Sequence, residues 1–442
     1  MSISIGALVL VAVVGGQDDQ IKVLQEMVHE LREEVSELKN EKSDLWITSQ
    51  RADEIQSLVQ NILSDADSRY ALQGNSSMAG YDGGAYVSSA DGNWKLKING
   101  QIQVRWLYNN AEGQTSQHGF DQRRTKIKFS GHVLDPTWTF KVSTTWGRAG
   151  GSNTEDAWIA KQFDDGSWFK FGQFGSKFLR EQIVSSGAQL AVERSMVNTA
   201  FSYLWTQGVE LGWSNDDIRL TAQYTDGPGQ SNTAALTNPT DAWNIRAEFR
   251  FGDSSWKDFN ALTSKSGAKE GLLLGVAYEN YSRNTGTFEY GNANGNKSSG
   301  LTVDASLRGD GWNMFAYMVE ATAKDAGVKQ DSSGWLVQGG YLISNNVELF
   351  AQYQSGQIDN ATFAQGSNDM SAIRFGFNYW PNAGNNSVKW TTDIAWSQHS
   401  LPDGGGSGIS SADWVTTGNG WRQDLAGEDS QMLLRTQLQV LF

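Results

Sequence analysis

The chain of 442 residues contains no cysteine. That excludes a disulfide framework and thiol chemistry, and removes the commonest ligands of a structural zinc site. Proline is scarce at 5 residues, and long apolar runs are scarcer still. The longest covers residues 3–14, short of the roughly 20 residues a membrane-spanning helix requires, so a bundle of membrane helices is excluded. Positive charge is in deficit: 35 Lys and Arg against 49 Asp and Glu leave a net charge of −14, which argues against a nucleic-acid partner. Against these shortages stand 48 Gly, 18 Trp, 13 Tyr and 19 Phe, a heavy aromatic load for so polar a chain. Transmembrane β-barrels place such aromatics in girdles at their two interfaces with water.

The C-terminal segment carries that reading. Met432, Leu434, Thr436, Leu438, Val440 and Phe442 share one strand face. Gln431, Arg435, Gln437 and Gln439 share the other, with Leu433 and Leu441 as apolar exceptions. A strand apolar on one side and polar on the other suits a wall between lipid and water. The same alternation runs from Lys95 to Trp106 and recurs near 123–133, 138–146, 155–163, 168–174, 207–214, 217–225 and 242–251. It continues near 271–281, 299–308, 311–321, 333–343, 346–355, 370–380 and 387–397. With the last segment this makes about 16 strands, and predicts an all-β, transmembrane antiparallel barrel over residues 93–442.

The connections support the barrel. Asp164-Asp165-Gly166, Asn215-Asp216-Asp217, Gly309-Asp310-Gly311 and Ser344-Asn345-Asn346 have tight-turn chemistry. They alternate with longer connections near 108–122, 175–206, 226–241, 282–298 and 399–430, with 252–270 as a long exception on the turn side. Short periplasmic turns and long external loops are the outer-membrane pattern.

Upstream, residues 1–17 read as a signal peptide or apolar leader, although a basic start and a clear cleavage site are missing. Residues 18–69 read as an α-helical coiled coil in the periplasm. Its seam is Ile21, Leu24, Val28, Leu31, Val35, Leu38 and Leu45, with Lys42 the one polar a position. Valine at a with leucine at d favours two strands. A continuous helix of this length would reach roughly 75 Å, which makes the cell wall a candidate partner for a tether. Residues 70–92, rich in Gly, Asn and Ser, read as a flexible linker.

Phe169-Lys170-Phe171-Gly172-Gln173-Phe174-Gly175-Ser176-Lys177-Phe178-Leu179-Arg180-Glu181-Gln182 runs on to Val192-Glu193-Arg194-Ser195. With Gly100-Gln101-Ile102-Gln103 and Gln122-Arg123-Arg124, this stretch resembles the phosphate-selective porin O/P family. The helix ending Arg51 to Gln60 resembles the coiled-coil extension of planctomycete-type members. The resemblance implies a 16-stranded barrel in the bacterial outer membrane, a homotrimer, and a third loop folded into the pore. It also implies a water-filled channel for passive diffusion of small hydrophilic solutes. The implied trimer conflicts with the two-stranded heptad preference; barrels packed side by side would impose their own stoichiometry on the helix.

With the polar face of each strand assigned to the lumen, the charges fall into place. Lys95, Lys97 and Arg105 come from the first strand, Arg124, Lys126, Lys128 and His132 from the second, Lys141 from the third and Lys170 from the fifth. Arg435 on the last strand closes beside the first. These neighbours form one basic wall. Residues 94–194 hold 14 Lys and Arg against 9 Asp and Glu, whereas 195–442 hold 15 against 25. In the loop of 175–206, Lys177, Arg180 and Arg194 are expected to line a constriction, and Glu181 and Glu193 to face the wall. Glu248, Asp304, Glu348 and Asp393 are placed to pair with lumenal cations. A cationic wall in a narrow aqueous pore favours anions, because low-dielectric walls focus the field. The expectation is a diffusion channel with a modest anion preference; the alternatives are a phosphate- or oligophosphate-selective channel and a structural tether. An enzyme is not expected. His29, His118, His132 and His399 lie apart with no nucleophile motif or metal-ligand spacing around them, and no cofactor motif is present. Arg308-Gly309-Asp310 reads as a tight turn rather than an adhesion motif.

Overall fold

A computed structural model describes residues 29, 32–33 and 77–442, apart from 148–149, 229–230, 235–240, 283–294, 326–327, 359–368, 400, 402–417 and 426–427. The chain divides into a unit of residues Met1–Ser76 and a unit of Ser77–Phe442. In the first unit His29, Arg32 and Glu33 are helical and exposed, and His29 Nδ1 lies 3.8 Å from Glu33 one turn on. The predicted leader and the seam residues from Ile21 to Leu45 lie outside the described residues.

The second unit begins with the strands β1 (Ser77–Tyr81), β2 (Ala85–Ser89), β3 (Lys95–Ala111), β4 (Gln117–His132), β5 (Trp138–Trp146) and β6 (Ser152–Gln162). Next come β7 (Ser167–Gly175), β8 (Trp205–Ser214), β9 (Ile218–Thr225), β10 (Asp241–Gly252), β11 (Gly271–Ser282) and β12 (Gly295–Gly309). The last are β13 (Trp312–Asp325), β14 (Val328–Ser344), β15 (Val347–Ile358), β16 (Asp369–Tyr379), β17 (Val388–Ser397) and β18 (Gln431–Leu441). Strands β3 to β18 each pair antiparallel with the next, and β18 pairs back onto β3 from Gln431↔Ala111 to Leu441↔Gln101. The result is a closed barrel of 16 strands, which leaves no unpaired edge along the wall. Each segment read from the alternating pattern falls on one of these strands. On β3 the alternation is literal: Ile102 and Val104 are exposed outward, while Gln101, Gln103 and Arg105 are buried inward. Exposed aromatics band the outside, with Phe163, Phe251, Tyr341 and Tyr379 near the turn rim and Tyr224, Trp243, Trp335 and Trp396 near the loop rim.

Two segments depart from the reading. Residues 77–89, assigned to a flexible linker, form the hairpin β1–β2, and β2 pairs with Lys95–Ile98 of β3. The cause is geometric. β3 projects past the end of β18, leaving a free strand edge, and β2 pairs with it. Phe442 ends the seam, donating its N–H to Gly100 O at 3.1 Å and accepting from Gly100 N at 2.6 Å. The connection predicted over 108–122 shrinks to 112–116, because pairing with β18 and β4 carries the Asn-rich end of β3 to Ala111.

Residues 176–204, between β7 and β8, fold into the barrel. They form the short helix α1 (Arg180–Ile183), a 3-10 turn at Ser186–Ala188 and the helix α2 (Met196–Phe201). Ser195 caps α2 by accepting from Asn198 N at 2.8 Å, which satisfies one of the free N–H groups of its first turn. Met196, Val197, Ala200 and Phe201 are fully buried, in one apolar cluster with Phe315, Tyr317, Val319, Leu336, Ala372, Ala395 and Leu433 of the inner wall. Leu433, an apolar exception on the polar face of the last strand, thus belongs to an apolar core inside the barrel. The loop sits close because the wall beneath it is small: a side chain at Gly334 would meet Val197 Cγ1 at 2.6 Å. Gly334→Leu is therefore expected to undock the loop, destabilising it by about 1–3 kcal/mol of overpacking. A raised single-channel conductance with the barrel still heat-modifiable on gels would report it; an unchanged conductance would mean the loop repacks around the leucine.

Candidate functional site: a basic passage beside the folded loop

The loop fills the side of the lumen formed by β11 to β18. Opposite it, two cavities follow one another along the wall of β4 to β10. One, about 650 Å³, opens near Trp146 and Gly147 at the loop rim. Its barrel side carries Arg123, Arg124, Lys126, Lys128, Lys141 and Lys170, with Glu155 and Asp156; its loop side carries Lys177, Glu193 and Arg194. The other, about 460 Å³, reaches Gly166 and Ser214 at the turn rim and is lined by Glu210, Arg219, Arg246 and Glu248. Trp158, Lys170, Lys177 and Ile183 line both cavities, so the two adjoin there, one reaching the loop rim and the other the turn rim.

Bulges set the charge pattern. On β4, Gln103 faces Arg124 and Val104 faces Gln122, so Arg123 is an extra residue. Arg123 and Arg124 thereby both reach the lumen in spite of being consecutive. On β6 the register shifts between Ser143 and Thr144, which leaves Glu155 extra and turns Glu155 and Asp156 inward together. Lys126 pairs with Glu155 at 2.6 Å, Lys141 with Asp156 at 2.8 Å and Lys170 with Glu210 at 2.5 Å. Lys128 and Lys177 make no ion pair among the described residues. The Arg194 guanidinium donates to the carbonyls of Glu181 and Val184 at 3.0 and 2.7 Å. Burial lowers the Arg194 pKa to about 10, which leaves it charged at neutral pH. Burial also pushes the Lys177 ammonium down.

Glu193 is the electrostatic anchor of the loop. Its carboxylate accepts from Arg105 and Arg123 at 2.7 Å and from Arg124 at 2.8 Å. Burial pushes this carboxyl up, but the three arginines outweigh it and hold it well below 4.5. Neighbouring bonds fix the same segment: Arg374 donates to Glu193 O at 2.7 Å, and Val192 N donates to Asp393 at 3.0 Å. A carboxyl whose folded pKa is depressed contributes stability above its unfolded pKa and loses it only as pH falls through the folded value. Loop docking should therefore be constant from pH 7 down to the unfolded value of 4.5 and weaken only below it. Open-channel noise recorded against pH checks this; a transition between pH 7 and 5 would contradict it.

The sequence-predicted residues divide in three. Arg124, Lys126, Lys128, Lys141, Lys170, Lys177, Glu193 and Arg194 line the passage. Lys97 lies at the turn rim, 3.8 Å from Asp82 of the β1–β2 hairpin, and Arg105 and Arg435 are buried against Asp121 and Asp393. Those three are corrections to the basic wall. Arg180 and Glu181 are corrections to the constriction loop. Arg180 points into the wall, 3.3 Å from Glu248, and Glu181 accepts from Ser195 Oγ at 2.6 Å and Tyr317 Oη at 2.9 Å in the apolar half. The physical reason is common to all: facing the lumen is not facing water where the lumen is packed with protein. Arg123, Glu155, Asp156 and Arg219 escaped the sequence reading, Arg123 and Glu155 because a bulge breaks the period of two.

Several solved structures share this architecture. An outer-membrane protein, OmpT of Vibrio cholerae folded in vitro, has 11% identity and a TM-score of 0.55, over 82% of this chain and 99% of that one. OmpF of Salmonella typhi in complex with daunomycin has 13% identity and a TM-score of 0.54, over 83% and 100%. An anion-selective porin from Comamonas acidovorans has 12% identity and a TM-score of 0.53, over 78% and 99%. At such identities the likeness shows the fold. No curated protein matches the sequence. Residues 95–386, more than half of the chain, match the family described as phosphate-selective porin O and P, and the chain is thus an outer-membrane channel that belongs to that family.

Proposed function

We propose that the protein is a diffusion channel for small hydrophilic solutes with a preference for anions. One observation carries the preference: eight Lys and Arg against three Asp and Glu line the larger cavity. In a narrow passage with low-dielectric walls, that excess raises the local concentration of anions and lowers that of cations. The ion pairs of Lys126, Lys141 and Lys170 keep the preference modest, since each carboxylate cancels most of its partner's field. The net charge of −14 does not oppose this, because selectivity follows the charges along the path rather than the total. The N-terminal helix, through its heptad seam, would hold protomers together on the periplasmic side, in a trimer as the resemblance implies. Reversal potentials across planar bilayers in a KCl gradient test the reading. An anion-signed potential supports it; a cation-signed one would mean that the carboxylates along the path dominate.

A further inference from the structure

Tryptophans line the passage from one rim to the other. Trp205 stands at the loop end of β8, Trp158 at mid-height on β6, and Trp168 near the turn end of β7. All three are only partly buried. In the register, Trp205 faces Gly175 and Trp158 faces Gly172 on the same β7 strand that carries Trp168. The three indoles are therefore spaced by roughly 10 and 13 Å along the strand direction. Trp168 lies directly against Gly212, where a Cβ would meet its ring at 1.9 Å.

Trp168 is bordered by both signs of charge, and Trp158 and Trp205 each by a lysine that is itself paired with a carboxylate, Glu210 and Glu155. Trp168 Nε1 donates to Glu210 Oε1 at 3.0 Å, and Lys170 Nζ holds the same oxygen at 2.5 Å. Lys170 Nζ also lies 5.1 Å from the Trp158 ring centre, and Lys126 Nζ lies 5.4 Å from that of Trp205. Permeating inorganic anions gain nothing from an aromatic face, whose π-cloud is negative. A pore for them alone gains nothing from placing large apolar rings in water, where exposure is unfavourable. A pyranose ring does have a use for it: its C–H faces are apolar and stack on an indole, while its rim of hydroxyls takes donors and acceptors together. The passage offers both at each step, in a basic field.

We infer that the passage is a stacking track for anionic saccharides, short sugar chains bearing carboxylate or sulfate groups, which Trp205, Trp158 and Trp168 hold in succession. This rests on the anion preference proposed above and adds the ring. A nucleotide would also bring a ring and a negative charge. The carboxylates of Glu155 and Glu210 beside the track repel either anion alike, but the sugar's many hydroxyls donate to them, whereas a nucleotide offers few.

The test is current block in planar bilayers by four probes: a short oligogalacturonate, its uncharged oligosaccharide counterpart, a nucleoside monophosphate and inorganic phosphate. The oligogalacturonate should block at the lowest concentration. Trp158→Ala and Trp205→Ala should each weaken that block roughly tenfold more than they weaken block by phosphate. Trp158→Phe, which keeps an aromatic face, should restore most of it and controls for a folding defect. Equal weakening for oligogalacturonate and phosphate would overturn the track, as would stronger block by the nucleotide or equal block by the uncharged sugar. The reversal potential in KCl is read in the same membranes, so loss of the anion preference is distinguished from loss of the track.

Discussion

Glu193→Gln is expected to release the folded loop and leave the barrel closed. The substitution removes the charge that Arg105, Arg123 and Arg124 share and leaves three guanidiniums converging on a neutral amide. Removing one partner of a buried ion cluster typically costs about 3–5 kcal/mol, because the remaining charge is uncompensated. Arg105 keeps Asp121 at 2.7 Å, which places the effect toward the lower end. The barrel does not depend on Glu193, since its ladder closes from β3 to β18 independently of the loop. The predicted signature is a larger and noisier single-channel conductance with an unchanged gel shift on heating. Protease cleavage within 176–204 of the variant, with the parent protein resistant, would be a second sign. Conductance, noise and protease resistance all equal to the parent would show that the apolar packing of Met196, Val197 and Phe201 holds the loop alone.

Lys128→Glu is expected to change the sign or most of the size of the ion preference. Lys128 lines the larger cavity, and no carboxylate within ion-pair distance among the described residues answers it. The substitution shifts the path by two charges. One unit charge at about 6 Å from a permeating ion is worth ~0.7 kcal/mol even at the dielectric constant of water. The change therefore amounts to ~1.4 kcal/mol for an anion and the reverse for a cation, or ~2.8 kcal/mol and roughly a hundredfold in their ratio before screening. Screening reduces it as the Debye length falls from about 10 Å at 0.1 M to about 3 Å at 1 M, so the contrast between variant and parent should shrink with salt. Lys97→Glu, at the turn rim beside Asp82, is the comparison and should shift the ratio far less. If the two substitutions shift it equally, selectivity resides in the overall field rather than in the passage.

Strand positions were open to a reading of the chain alone because the constraint on each is local. A strand between lipid and water must alternate, and a turn between two strands must bend, whatever the rest of the molecule does. The strand at Lys95–Trp106, the turn at Asp164-Asp165-Gly166 and the amphipathic end at Gln431–Phe442 all declare themselves within a dozen residues. The hairpin at 77–89 did not, because its glycines and serines match a linker and only the free edge of β3 turns them into strands.

The basic character of β4, β5 and β7 is likewise written in the sequence, as is the loop that enters the lumen, through its resemblance. Which of these cations meet water is not. The period-2 rule assigns Arg105, Lys128 and Arg435 to one face. Only packing then separates Lys128, beside the passage, from Arg105 and Arg435, sealed against Asp121 and Asp393. Two bulges brought Arg123 and Glu155 inward, against the alternation. Alternation is a property of one strand and its two solvents, so the chain by itself determined the barrel. The passage is what remains after a loop of residues 176–204 packs onto strands far from it in sequence, and contacts of that kind exist only once the wall has closed.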